Sequence, residues 1–323
     1  MFGEKIMRQE ILEKLTHITD EEKRILEGEK DIDRDLYMDG QGDMINRKKL
    51  LAEGKLIDLR PHTRFVHFPE HTHDYVEVIY MCTGETVHIV NGNRITLKAG
   101  ELLFLTPEAK QEIMPAGEND IAVNFIISTR FFDNIFHMIG HERTPLHSFF
   151  ISVLQGEKGA SSYMHFAVSD VLPIQNLIEN LVWTLIYGAP NKRNINQSTM
   201  GLLLLHLINN TDKASGEQDD ALVLYVLRYI ENNYKSGSLA ELAEELHYDF
   251  TWLSREIKER IGKTYTELVQ EKRLAQAKYL LKNTKMKIID IANETGYDNI
   301  SYFHRLFRKQ FGVSPKKYRD ERK

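Results

Sequence analysis

The chain has 323 residues, 42% hydrophobic and 28% charged, with a net charge of −5; that is enough chain for two domains with separate cores. Its single cysteine, Cys82, excludes an internal disulfide and fits a reducing compartment. The opening MFGEKIMRQEILEKL has no signal-peptide core, and apolar runs such as Leu202–Leu205 fall far short of a membrane span, so a soluble cytoplasmic protein is expected.

Residues 1–55 are polar, with a helical stripe through Ile11, Leu12, Leu15 and Ile18, then Ile25 and Leu26. They predict a helical arm, and the acidic stretch from Gly28 to Asp43 predicts a mobile link. From residue 56 to 128 the pattern changes to short runs rich in β-branched and aromatic residues: Phe65–Val66, Val76–Met81, Thr86–Val90, Arg94–Leu97, Leu102–Leu105 and Ile121–Ile127. Asn91-Gly92 between two of these runs predicts a hairpin, because its turn needs positive φ. The spacing predicts a small antiparallel barrel or sandwich.

After Ser128 the pattern is helical to residue 210. Val171–Tyr187 carries Ile174, Leu177, Ile178, Leu181, Val182, Leu185 and Ile186 at helical spacing, and Met200–Ile208 adds a second apolar helix. Region 129–210 is expected to pack on the barrel or to dimerise. Residues 211–220 (TDKASGEQDD) are polar and aperiodic, and are expected to be a linker. Residues 221–323 hold 20 Lys and Arg against 14 Asp and Glu, a balance of +6, while the remainder carries −11. A basic module on an acidic body points to a polyanion partner for the C-terminal part.

That part contains a repeat. At a shift of 49, Leu239 falls on Ile288, Ala243 on Ala292 and Tyr248 on Tyr297; at 50, Leu253 falls on Phe303, Arg255 on Arg305, Ile257 on Phe307 and Gly262 on Gly312. Each copy reads as a short helix, a turn and a second amphipathic helix, the pattern of a helix-turn-helix. Tyr265–Lys282 reads as a helix between them, roughly 25 Å long at about 1.5 Å per residue. Such a spacer could hold two reading helices near the ~34 Å separation of successive major-groove faces. The first turn departs from the second in carrying His247 where the second has Gly296.

The tandem arrangement resembles the AraC/XylS family of transcription regulators. The resemblance covers Ala221–Arg319 and is most specific at the end: Ala292, Gly296 and Tyr297 in the turn, the Tyr302–Arg308 run, and F-G-x-S-P-x-x-Y-R at Phe311–Arg319. First-turn residues of the second helices face base edges in a helix-turn-helix, and the family places groove contacts at the matching positions. These are Thr251, Ser254 and Arg255 in the first copy and Ile300, Ser301, His304 and Arg305 in the second. Arginine is the usual bidentate partner of guanine. Lys258, Arg308, Lys309 and Lys316 are expected to contact phosphates, which position without specifying. Leu253, Ile257, Phe303 and Phe307 are expected in the core, and Trp252, Phe311 and Tyr318 in the core or at its rim.

In the N-terminal half, His71, His73, Tyr75 and Glu77 would share one strand face by period two. The H-x-H-x3-E spacing resembles the first cupin motif, in which such side chains point into a small β-barrel. The second motif is approached at Gly100–Pro107, with Gln111 where its histidine would fall. Three readings stay open. Two histidines and a carboxylate could hold a divalent transition metal, weakened by the loss at Gln111. His71, His73, Glu77 and Gln111 could line a ligand cavity, with Arg64 in its wall or lid. Or His71 and Glu77 could simply pair. The resemblance implies a multi-domain α+β protein: a cupin-like antiparallel barrel with flanking helices, then an all-α domain with two helix-turn-helix motifs. It implies a homodimer that binds double-stranded DNA and a small-molecule effector, a sugar or sugar derivative, with RNA polymerase as a further partner to consider, and no enzyme activity. The alternative is a metal-dependent cupin enzyme tethered to DNA.

Overall fold

A computed structural model describes residues 7–40, 42–133, 135, 148, 151–152, 161–216 and 218–320. The parts of the expected 1–55, 129–210, 211–220 and 221–323 regions at 1–6, 41, 134, 136–147, 149–150, 153–160, 217 and 321–323 lie outside the described residues. The chain divides into two compact units: one takes in the described residues up to 135 and from 151 to 218, the other those from 219 onward. No helix among the described residues is long and apolar enough to cross a membrane.

The first unit opens with α1 (Gln9–Leu15) and α2 (Asp20–Leu26). Thr19 and Glu22 close a reciprocal cap at the start of α2, each side chain accepting the other's backbone N–H. Gly28–Asp43 is not the mobile link its acidity suggested. Ile32, Tyr37 and Met38 are buried with Ile25, Phe68, Tyr75 and Ile113 in one cluster, and these dispersed apolar positions fix an otherwise charged loop. Next come β1 (Met44–Ile45), α3 (Arg47–Leu50), β2 (Ile57–Pro61), β3 (Phe68–His73) and β4 (Val76–Thr83). They are followed by β5 (Glu85–Val90), β6 (Asn93–Lys98), β7 (Leu102–Leu105), β8 (Gln111–Ile113), β9 (Ile121–Ile127) and β10 (Tyr163–Phe166). After α4 (Leu172–Tyr187) and α5 (Lys192–Asn209), β11 (Ala214–Ser215) ends the unit's strands.

The strands form two sheets rather than one closed barrel, ordered β1-β3-β8-β5-β6 and β11-β10-β7-β4-β9-β2. All pairings are antiparallel except β1 with β3. Side chains of both sheets share one core, in which Ile79 and Met81 of β4 meet Val90 of β5, Leu97 of β6 and Leu103 of β7. Asn91 and Gly92 form the β5–β6 turn with φ of 48° and 79°. Three expectations change here. Phe65–Val66 is a bend, with Phe65 at φ 69°, and strands form on either side of it instead. The region after Ser128 is not purely helical, since β10 pairs with β7 across its length. Within 211–220, Ala214–Ser215 pairs with β10, so this stretch closes a sheet edge as well as leading to the second unit.

The second unit is helical: α6 (Gln218–Asn233), α7 (Leu239–Glu245), α8 (Phe250–Ile261), α9 (Tyr265–Asn283), α10 (Ile288–Glu294), α11 (Ile300–Phe311) and α12 (Pro315–Asp320). Capping residues set these boundaries. Ser238 and Thr264 form capping boxes with Glu241 and Glu267, Asp249 and Asn299 accept the N–H groups of Trp252 and Tyr302, and Gly262 and Gly312 end α8 and α11 in the left-handed region. The repeat is visible in burial: positions 251–260 and 301–310 run through the same sequence of exposed, half-buried and buried residues. Leu253, Ile257, Phe303 and Phe307 are the buried ones, at 2% exposure or less.

The two turns differ. Gly296 has φ 84°, and a Cβ there would lie 2.7 Å from the Lys235 carbonyl oxygen. The reason is Arg273 of α9. Its guanidinium donates to the carbonyls of Tyr234 (2.7 Å), Lys235 (2.8 Å) and Gly296 (2.6 Å) and lies over the Tyr297 ring. It thereby joins the segment leading into α7 to the α10–α11 turn. In the first turn His247 occupies the equivalent position with φ 56°, a conformation that costs a side chain with a Cβ about 1–2 kcal/mol. His247→Gly is expected to stabilise the second unit by roughly 1 kcal/mol, and Gly296→Ala to destabilise it by about 2 kcal/mol or more. Urea melts followed by Trp252 fluorescence in a Trp183→Phe background measure both.

Candidate functional site

The second unit presents one side of α8 and α11. Thr251, Arg255 and Lys258 are exposed on α8 with Ser254 half-buried; Ser301, Arg305, Arg308 and Lys309 are exposed on α11, with Ile300 and His304 half-buried. Lys316 of α12 is exposed. His304, Arg305, Arg308 and Lys309 line one open concavity together with Ser314. Trp252, Phe311 and Tyr318 sit at the rim, half-buried, with the Phe311 and Tyr318 rings 4.5 and 5.6 Å from Phe307.

The equivalent arginines have different surroundings. Arg305 stacks over Tyr302 at 5.2 Å, and α11 carries no acidic residue. Arg255 lies 3.9 Å from carboxylate oxygens of Glu256 and Glu259, and Glu256 also accepts from Arg260 at 2.9 Å. The cations of α8 are thus partly neutralised by its own acids. At its start α8 instead exposes rings: Phe250 is 52% and Tyr248 46% exposed, the latter stacked 4.6 Å from Trp252. Tyr297, the counterpart of Tyr248, is buried.

In the first unit a narrow cleft of about 40 Å³ opens beside β2, β3 and β4; Tyr37, Arg60, His62, His71, Tyr75, Glu77 and Asn124 are among its lining residues. The single-strand reading of the motif is corrected: His71 and His73 end β3, while Glu77 lies on β4 beyond a break at Asp74-Tyr75. The residues still converge, because both strands turn these side chains inward, and all three are buried. His71 and Glu77 reach the cleft. Gln111, on β8 opposite His71, donates its amide to Nδ1 of His88 at 2.9 Å, and His88 bonds Thr86 at 2.9 Å.

Arg64 is placed elsewhere. It is 2% exposed, and its Nε and Nη2 bond Glu22 of α2 at 2.7 and 3.1 Å, while Nη1 donates to the Glu118 carbonyl at 2.9 Å. It anchors α2 to the β unit. The neighbouring Glu21 accepts from the Tyr37 hydroxyl, which also contacts Thr63 at 3.0 Å, so α2 holds one wall of the cleft. The other helix, α1, is tied to α4: Arg8 N donates to Glu179 at 3.0 Å, and Lys14 lies 4.2 Å over the Tyr187 ring.

Bonding fixes proton positions in the cleft. Asn124 donates to Glu77 Oε1 at 3.1 Å, so its Oδ1 faces His62 Nδ1 at 3.1 Å as an acceptor. His62 therefore carries its proton on Nδ1 and leaves Nε2 as a lone pair. That atom and Glu77 Oε2 are buried without a hydrogen-bond partner. Burial pushes His71 down to about 4, holds His73 and His88 well below the ordinary histidine range and lowers His62; it pushes Glu77 up to about 7. His62, His88, Asn124, Tyr37 and Arg60 were not singled out from the sequence. For His88 a signal existed, since Thr86, His88 and Val90 alternate inward along β5.

The donor set does not fit a cupin metal: the third histidine position is Gln111, and among the described residues no three His, Cys, Asp or Glu side chains are arranged to hold an ion. The pairing expected of His71 with Glu77 is instead made by His73, whose Nε2 lies 3.4 Å from Glu77 Oε2.

Two family models match the chain: an AraC-like ligand binding domain over residues 59–145 and a helix-turn-helix domain over residues 242–321. Among curated proteins it is similar to the HTH-type transcriptional activator RhaS of Mannheimia succiniciproducens, 28% identical over 81% of this chain and 93% of the relative. It is similar also to RhaS of Yersinia pestis, 23% identical over 79% and 90%. Among solved structures, the C-terminal domain of the response regulator AraT from Geobacillus stearothermophilus is 33% identical over 33% of this chain and 89% of that one, with a TM-score of 0.31. ToxT from Vibrio cholerae is 14% identical over 81% and 96%, with a TM-score of 0.32.

The buried histidines give the first unit a pH dependence. Unfolded, each titrates near 6.5; folded, all four lie lower. Protons therefore bind the unfolded chain first, so stability that is full above about pH 6.5 is lost as the pH falls below it. Glu77, at about 7 folded against 4.5, acts oppositely between those values, as one group against four. The melting temperature of the first unit is expected to fall between pH 7 and pH 5, and His71→Gln to flatten the fall, in calorimetry across that range.

Proposed function

This chain belongs to the AraC/XylS family of DNA-binding transcription regulators, and we propose that its first unit receives a small-molecule effector that governs DNA binding by the second. The observation that carries the effector reading is the cleft: buried polar atoms of His62 and Glu77 stand without partners beside an opening, in a unit separate from the basic helices. Partnerless buried acceptors are costly unless something supplies donors. Hydroxyl groups of a sugar or sugar derivative do so, and the lining mixes these polar groups with Phe68, Ile113 and Ile126.

On DNA, α8 and α11 enter successive major-groove faces. Arg255 and Arg305 take guanine edges, with Thr251, Ser254, Ile300, Ser301 and His304 beside them; Lys258, Arg308, Lys309 and Lys316 hold phosphates. The free charge of α11 makes it the stronger electrostatic anchor. Two copies of the chain associate through α5, which leaves Ile195 and Leu202 exposed seven residues apart on one face. The effector signal passes from the cleft wall through α2 and α1 to α4, along the contacts of Arg64, Glu21 and Arg8.

Arg305→Ala is expected to weaken binding to a selected operator at least tenfold at fixed salt, with non-specific binding changed little. Lys309→Ala is expected to lower the slope of log affinity against log salt by about 1 without altering sequence preference. Mobility-shift titrations at three salt concentrations test both, and unchanged operator affinity in Arg305→Ala overturns the groove assignment.

A further inference from the structure

The cleft contains one feature that hydroxyl recognition alone does not use. Arg60 of β2 lines it, half-buried, with its guanidinium 5.0 Å over the face of Tyr37. Tyr37 is itself fixed by Glu21 and Thr63, so the stacked guanidinium has a rigid platform. The contrast with Arg64, four residues on, is informative. Arg64 is matched by Glu22 and by carbonyl oxygens, whereas among the described residues no carboxylate lies within ion-pair distance of Arg60. A half-buried guanidinium held on an aromatic face, with no hydrogen bond or ion pair from its side chain among the described residues and Glu77 as the cleft carboxylate its charge acts on, is suited to a planar anion bound by two parallel hydrogen bonds.

The other polar atoms of the cleft have the opposite requirement. His62 Nε2 and Glu77 Oε2 lack partners, and His71, with Nδ1 committed to Pro69, offers only the lone pair of Nε2. The two histidine nitrogens are acceptors and call for donor hydrogens, while Glu77, raised to about 7 and with His73 Nε2 3.4 Å from its Oε2, accepts when ionised and donates when protonated. A ligand meeting both demands carries a carboxylate at one end and hydroxyl groups along the rest. Phe68 and Ile126 add apolar wall against which the carbon face of a ring can lie.

We propose that the effector is a hydroxylated carboxylic acid of sugar size, a uronic or aldonic acid, whose carboxylate is held by Arg60 and whose hydroxyls donate to His62, His71 and Glu77. This rests on the reading of the cleft as the effector site and names its ligand class.

The test is a thermal-shift and calorimetric titration of the full chain against matched pairs: galacturonate and galactose, glucuronate and glucose, rhamnonate and rhamnose. At least one acid is expected to bind with at least tenfold higher affinity than its neutral partner, and its affinity to fall as salt rises. Arg60→Met is expected to lose that acid at least tenfold and Arg60→Lys to retain part of it. The ligand-free melting temperature of each variant reports folding, and Arg60 is not in the core. Neutral sugars binding as well as or better than the acids overturn the acid assignment and leave the effector site standing. Acid binding that survives Arg60→Met overturns the role of Arg60. No shift with any of the six overturns the ligand class, and a parallel operator-binding assay shows whether the regulator itself is intact.

Discussion

The first unit depends on one buried ion pair. A guanidinium taken out of water must bring a carboxylate with it, and removing either partner from such a pair costs about 3–5 kcal/mol. Arg64 at the edge of the sheet and Glu22 on α2 satisfy that demand with two short bonds, at 2.7 and 3.1 Å. This pair positions α2 against the sheets. Glu21, next along α2, reaches Tyr37; Tyr37 carries Arg60 on its face and shapes the cleft. In the other direction α1 is held to α4 through Arg8 and Glu179. The helical arm is therefore part of the cleft wall, and a ligand that moves Tyr37 acts on the same chain of contacts that ends at α4.

The interior of the β unit is arranged against its own stability. Four neutral histidines, a glutamate and two amides are packed where aliphatic side chains would be more stable, and several of their atoms lack partners. A partly satisfied polar network of this kind is costlier than an apolar core. The apolar cluster around Ile79, Leu97 and Leu103 offsets it. A molecule that hydrogen-bonds those atoms would stabilise the folded unit by mass action.

The helix-turn-helix copies of the C-terminal unit were legible in the sequence, because apolar period, the repeat and the stops at Gly262 and Gly312 are local signals. The hairpin at Asn91-Gly92 was legible for the same local reason. The cleft was legible only in part. His71 and Glu77 stood out by spacing, but the break at Asp74-Tyr75 between β3 and β4 cannot be read from alternation, since inward residues on two adjoining strands mimic one. β8, at three residues, is too short to show a period. Arg64 was misplaced in the ligand wall because its partner lies 42 positions away, and no local pattern reveals a long-range pair. The apolar residues that fix the Gly28–Asp43 loop are too few and too scattered to outweigh its charge in a reading by composition.

The Arg273 guanidinium binds carbonyls on both sides of the C-terminal unit, before α7 and in the α10–α11 turn. With α9 as a strut about 28 Å long, it leaves the two reading helices little freedom to adjust separately. DNA turns about 34° per base pair, so under the proposed groove reading the unit fixes an angular phase between two base clusters. One inserted base pair would rotate the second cluster off its helix, although every contact residue and every base of both half-sites were still present. Under that reading, spacing becomes part of the recognised sequence, written in an arginine that binds carbonyls of its own chain.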